Sequence, residues 1–127
     1  MLYKIGDFSK LTNLSIRTLR YYDDIDLFKP KEIDLFTNYR YYSSDQLEDL
    51  KIIKDLQDVG FTLEEIKEYK NNLSNEIMLN KKNELLKEIE IVQDKIKKVD
   101  YLRENIVDGK ICYKKKQNKN KSKTLFN

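Results

Sequence analysis

From Leu85 to Val99, the apolar residues Leu85, Ile89, Val92, Ile96 and Val99 recur at steps of four, three, four and three. That spacing is the seam of a coiled coil. No Gly or Pro interrupts residues 74–107, and Met78, Leu102 and Ile106 extend the pattern, with a slip of register near Leu102. One helix over this span, about 34 residues long, reaches roughly 50 Å. Its apolar stripe is too narrow to be buried by the helix itself. A second copy of the chain, parallel or antiparallel, is the simplest cover. The alternative is packing back onto the preceding seventy residues, but a helix this long overhangs so small a domain. The seam therefore predicts a homodimer.

The first seventy residues read as short helices around one hairpin. In "IGDFSKL", Ile5, Phe8 and Leu11 share one side of a short helix. Asn13 suits a left-handed turn position. Ser15 can cap the next helix, with Leu14 and Leu19 at the two ends of a hydrophobic staple. Residues 5–11, the turn, and residues 16–24 thus form a helix-turn-helix. In "SIRTLRYYDD", Ile16, Leu19 and Tyr22 face inward, whereas Arg17, Thr18 and Tyr21 face out with Arg20 beside them. Such a face is either a solvated surface or the part of a helix that enters a groove of DNA.

Pro30 closes this element. "KEIDLFTNYRYYS" predicts two short strands around a turn at Phe36–Asn38, with Tyr39 and Tyr41 on one face and Arg40 and Tyr42 on the other. It is a wing beside the helix-turn-helix, or a plain hairpin with aromatic pairs. A helix over 44–58 follows, its start marked by Ser43 and Gln46 as a capping box and its end by Gly60. Another begins at "FTLEEI", where Thr62 and Glu65 form the box and Phe61 and Ile66 the staple.

Composition removes several classes of function. The chain has 127 residues and no histidine, which excludes Ser-His-Asp and Cys-His chemistry and histidine-ligated metals. The single cysteine, Cys112, forms no internal disulfide or cysteine cage. No nucleophile–base pair or phosphate loop appears, so neither catalysis nor a cofactor is expected. No apolar run spans a membrane, and "MLYKIGDFSK" lacks the core of a secretory signal, which predicts a cytoplasmic protein. The net charge of +3 is segregated. Residues 1–72 hold 11 basic and 14 acidic residues, residues 73–108 hold 7 and 8, and residues 109–127 hold 7 basic and none acidic. Nucleic-acid binding by the front of the chain therefore depends on where particular arginines stand, not on bulk charge. Residues 108–127, with "YKKKQNKNKSK", read as a disordered lysine-rich tail.

"YKIGDFSKLTNLSIRTLRYYDDIDLFKP", then "NYRYY", then "GFTLEEI", resemble in order and spacing the MerR family of bacterial transcription regulators. The match covers roughly residues 3–70, and "TNYRYYS" looks most like the branch that senses organic compounds. The resemblance implies a mainly α fold: a winged helix-turn-helix over 1–72, then a dimerisation helix over 73–107 paired as an antiparallel coiled coil. It implies binding to a pseudo-palindromic promoter operator in double-stranded DNA, and bending and untwisting of that DNA for RNA polymerase. Ser15, Arg17, Thr18, Arg20 and Tyr21 occupy the recognition-helix motif. Tyr39, Arg40 and Tyr41 occupy the wing motif, and Phe61 and Thr62 begin the helix of a second wing. Asn13, Asp26 and Asn38 stand where the family usually has Gly; Asn and Asp are the best substitutes at positive φ. Metal-sensing relatives use cysteines around the long helix, where this chain has Met78, Leu79 and then Cys112. Most organic-sensing relatives continue into an effector domain, whereas this chain passes into lysines.

Two functions follow as expectations. One is a dimeric regulator that reads and distorts a promoter. The other is a coiled-coil interaction protein that heterodimerises with a full-length regulator and controls no promoter itself. Arg17, Arg20 and Arg40 favour the first, since an adapter has no use for them.

Overall fold

Three aromatic rings from three separate stretches of the chain stack at the centre of the first folded unit. Phe8 and Tyr42 lie nearly parallel with centroids 4.6 Å apart, and Phe28 stacks on both at 6.2 and 5.9 Å. The computed structural model describes residues 1–113 and divides the chain into Met1–Ser74 and a second unit from Asn75. Leu19, Leu27, Leu50, Ile53, Leu56 and Ile66 complete the core of the first.

The elements of that unit follow from its spacing. Strand β1 (Leu2–Lys4) leads into α1 (Ile5–Thr12), and α2 (Ile16–Asp24) follows after a turn. Strands β2 (Glu32–Ile33) and β3 (Arg40–Ser43) form the hairpin. Then come α3 (Gln46–Asp58) and α4 (Leu63–Tyr69). The sheet is antiparallel in the order β1-β3-β2, with Lys4 and Glu32 both opposite Tyr41. The N-terminal strand carries no alternation long enough to be read from sequence; it exists because β3 offers it a free edge.

Helix ends carry much of the local logic. Ser15 Oγ accepts the Thr18 N–H at 3.0 Å and caps α2. Thr62 Oγ1 accepts the Glu65 N–H at 3.1 Å, and Glu65 accepts the Thr62 N–H at 2.9 Å, a complete capping box. At α3 half of the expected box forms. Gln46 accepts the Ser43 N–H at 3.0 Å, but the Ser43 hydroxyl turns to the Asp45 carboxylate and the helix starts at Gln46. Two helices close with Schellman motifs. After α3 the Gly60 N–H donates to Gln57 O and the Phe61 N–H to Leu56 O, with Gly60 at φ 101. After α2 the Asp26 N–H donates to Asp23 O and the Leu27 N–H to Tyr22 O, with Asp26 at φ 61. Asn13 and Asn38 are left-handed too, at φ 61 and 64.

The inward faces are narrower than their patterns imply. Leu11, Ile16 and Ile52 are only about half covered or a little more, while their companions Phe8, Leu19 and Ile53 are fully buried.

The second unit is α5 (Asn75–Arg103) and a small hairpin of β4 (Ile106–Val107) and β5 (Lys110–Ile111). The 29 residues of α5 reach about 44 Å, and none of its side chains is buried. The expected helix to residue 107 is corrected: it stops at Arg103. Asn105, nearly fully buried, donates from Nδ2 to Tyr101 O at 2.6 Å and accepts the Cys112 N–H at 2.7 Å, which turns the chain back. Disorder from residue 108 is corrected as well. Asp108 and Gly109, at φ 50 and 79, form the two-residue turn that Asp-Gly favours between short strands. The lysine-rich segment from Lys114 onward lies outside the described residues.

The complete box at Thr62 gives the first test. Thr62→Ala removes one acceptor of an otherwise unpaired helix N–H and is expected to cost about 1 kcal/mol. For a domain this small the thermal midpoint should fall by roughly 4–8 °C. Circular dichroism melting of the two proteins measures it.

Candidate nucleic-acid interface

Leu19 and Tyr22 anchor α2 in the core, and this determines what its other face presents. Tyr22 Oη also lies 3.3 Å from Gln57 Oε1, tying α2 to α3. Arg17, Arg20 and Tyr21 are left exposed. Neither arginine forms an ion pair among the described residues. Ser15 and Thr18 are already engaged: besides capping, the Ser15 hydroxyl donates to Thr18 Oγ1 at 2.9 Å. Their first task is to start the helix.

The acidic end of α2 does not cancel this face. Asp23 is turned inward and only 8% exposed. Its carboxylate accepts from Arg40 Nε at 3.0 Å and from Lys29 Nζ at 3.0 Å. Burial opposes its charge, yet the hydrogen bonds from Arg40 and Lys29 outweigh burial and hold the carboxyl below its ordinary range. Lys29 also pairs with Asp26 at 2.8 Å, so one lysine spans both acids near the helix end. Beside them the Tyr42 phenol is pushed up to about 12, by burial and then by the charge of Asp23. It stays neutral in the core.

The wing is held by the same carboxylate. Tyr42 and Arg40 lie on the core side of β3, whereas Tyr39 is half exposed on the other face. Tyr41 is partly covered opposite Lys4 and Glu32. The turn is braced by Asp34, whose carboxylate accepts the N–H groups of Phe36 at 2.8 Å and Thr37 at 3.2 Å. These bonds hold its carboxyl below the ordinary value. The tip carries Leu35 and Phe36, the latter 100% exposed.

At the start of α4, Thr62 is exposed and caps the helix, but Phe61 is 6% exposed, with its ring edge-on to Tyr69. Phe61 as a DNA-contacting side chain is therefore corrected. The hydrophobic staple that places it before the helix also draws its ring into the core.

The profile described as "MerR HTH family regulatory protein" matches residues 3–73, more than half of the chain. The chain belongs to the MerR family. The Multidrug-efflux transporter 1 regulator of Bacillus subtilis is 57% identical over 65 residues, covering 51% of this chain and 23% of that protein. The chain thus spans about a quarter of the length of the curated relatives it matches first. Among solved structures, MtaN, the N-terminus of the Bacillus subtilis multidrug transporter activator, is 32% identical with TM-score 0.71, covering 78% of this chain and 95% of that one. EcmrR in a complex with DNA is 34% identical with TM-score 0.71, over 81% of this chain and 39% of that one.

In this MerR-family chain, the first unit brings Arg17, Arg20, Tyr21, Tyr39 and Arg40 onto neighbouring elements α2 and the wing. Sequence reasoning missed Asp23 and Lys29 as the ties between those elements. Asp23 sits in an acidic helix end beside Asp24, and nothing local marks it as the one turned inward; its partners lie 6 and 17 positions away, beyond any local pattern.

Asp23→Asn keeps the shape and removes the charge. Hydrogen bonds to charged groups contribute about 1.5–3 kcal/mol, so a loss of that order is expected at neutral pH. A carboxyl lowered on folding contributes stability that is full above its unfolded pKa and is lost as pH falls through the folded pKa. The gap in thermal midpoint between wild type and variant should be constant from about pH 5 to 8 and close below about pH 4. Melts across that range check the sign: a gap that widened in acid would contradict the assignment.

Proposed function

We propose that this chain is a homodimeric, sequence-specific DNA-binding transcriptional regulator of a promoter operator. The observation that carries the reading is the exposed pair Arg17 and Arg20, unpaired among the described residues, on a helix whose opposite face is buried. Arginines on such a helix reach guanine edges or phosphates in a major groove. Thr18 and Tyr21 then contact phosphate or a thymine methyl, and Tyr39 and Arg40 meet the flanking backbone. Tyr41 and Thr62 stand beside these as weaker contacts.

Dimerisation is supported by the seam. Leu85, Ile89, Val92, Ile96 and Val99 are between 39% and 56% exposed in the single chain, a continuous apolar row along α5. A partner helix, antiparallel in this reading, removes that row from water. A dimer reads two symmetric half-sites, which fits a pseudo-palindromic operator. Bending and untwisting of the promoter, by which RNA polymerase is affected indirectly, belong to the same reading. No described helix is long and apolar enough to cross a membrane; a cytoplasmic site of action belongs to the reading as a bacterial transcription regulator. The adapter reading gains no support, because it leaves the two arginines without a role.

A footprint on the promoter upstream of the chain's own reading frame tests the core of this reading. A symmetric protected site is expected. Association with a long relative and no protection would support the adapter instead. Arg→Ala at a base-reading position should lose about 1–3 kcal/mol and relax one base pair, whereas at a phosphate position it should weaken all sites alike. Unchanged binding by the Arg17→Ala, Arg20→Ala double variant would reject α2 as the reading helix.

The seam has its own test. Ile89→Asp with Ile96→Asp places four carboxylates in the proposed interface, where unpaired charge is strongly disfavoured. Sedimentation should show a monomer, and operator affinity should largely disappear. A wild-type chain that is monomeric at micromolar concentration would overturn the dimer.

A further inference from the structure

Lys4 lies outside the recognition-helix and wing motifs, yet the sheet places it against both. It closes β1 directly opposite Tyr41. Tyr39 lies two residues along the same face, a diagonal neighbour within reach of a long side chain. Lys4 Nζ stands 5.2 Å from the centroid of the Tyr39 ring. The ring's negative face attracts the ammonium and limits where it can swing. Lys4 and Tyr39 line, together with Arg20 of α2 and Arg40 of the wing, one cleft of about 370 Å³.

The charges around that cleft are unequal. Arg40 is already shared with Asp23. Lys4 and Arg20 form no ion pair among the described residues. Asp7 is the acid in the lining, and it occupies the first turn of α1, where the helix dipole favours a carboxylate. Glu32 shares the outer face of the sheet on the far side of Tyr41. The cleft thus holds two cations without a salt bridge among the described residues, one guanidinium shared with Asp23 and one acid with its own local reason to be there.

We propose that this cleft seats one backbone phosphate of a bound duplex, with Lys4 and Arg20 as the cations that hold it and the Tyr39 ring as the platform that positions Lys4. The inference rests on the DNA-binding reading and adds to it a residue and a site. A phosphodiester carries a single full charge and oxygen acceptors, which suit a compact ammonium facing a guanidinium. Such a seat carries no base information. It adds affinity and sets the register of the protein on the backbone.

The competing role for Lys4 is to stabilise the sheet by covering Tyr39, and the test separates the two. Lys4→Met keeps an apolar stem over the ring but removes the charge. Lys4→Gln removes the charge with a polar end, and Lys4→Arg keeps it. Each full-length protein is titrated with salt on a duplex carrying the footprinted site and on a random duplex of equal length. Lys4→Met and Lys4→Gln should bind both duplexes roughly five- to tenfold more weakly per protomer near 0.1 M salt, with a salt slope lower by about 0.9 per protomer. Lys4→Arg should behave as wild type, and the thermal midpoint of Lys4→Met should match wild type. Salt titrations of Lys4→Met superimposable on wild type overturn the seat. So does a loss of affinity that follows a fall in thermal midpoint with the slope unchanged, which assigns Lys4 to folding. If wild type binds neither duplex, the DNA-binding reading falls and the seat with it. If wild type binds and the slopes do not move, the seat alone falls.

Discussion

The Asp23 carboxylate, buried at the end of α2, is the point through which the recognition helix, the following loop and the wing are tied together. Arg40 reaches it from β3 and Lys29 from the loop, each at 3.0 Å. An unpaired charge at that depth would be strongly unfavourable, so each partner is needed to keep the others in place. Arg40 is drawn to the core side of its strand, and alternation then turns Tyr39 and Tyr41 to the other face. The aromatic stack of Phe8, Phe28 and Tyr42 packs beside this polar cluster and fixes its surroundings. A shift in the carboxylate would move the wing relative to Arg17 and Arg20.

The turns around this centre show how a chain with three glycines makes tight reversals at other residues. Asn13, Asp26, Asn38 and Asp108 take positive φ, a conformation that costs most residues more than it costs Asn and Asp. Asp26 does so at the C′ position of a Schellman motif and pairs its carboxylate with Lys29 as well. The side chain thereby returns some of what a glycine would have saved in strain, and it joins the loop to the network around Asp23.

The second unit solves a different problem. A long helix with an apolar row and no buried side chain presents a surface rather than a core. Its end is defined by a local device: Asn105 bonds back to Tyr101, Asp108-Gly109 turns the chain, and Tyr113 stacks near Tyr101 at 6.1 Å. The apolar residues Ile106 and Ile111, which look like a continuation of the seam in sequence, are cross-strand partners in this hairpin.

What the sequence determined by itself was local. Caps at Ser15 and Thr62, the left-handed turn at Asn13, the α5 seam and the outward side of α2 all depend on residues within about one or two turns of each other, where spacing specifies geometry. The family resemblance added the order of those parts and the positive-φ turns at Asp26 and Asn38. What only the tertiary structure decided was every feature that needs residues far apart. β1 exists because β3 lies beside it. Arg40 meets Asp23 across 17 positions, and Lys4 meets the Tyr39 ring across the sheet. A charge pattern along the chain does not encode which opposite charge it will meet, because pairing is set by packing of the apolar faces that bring the elements together.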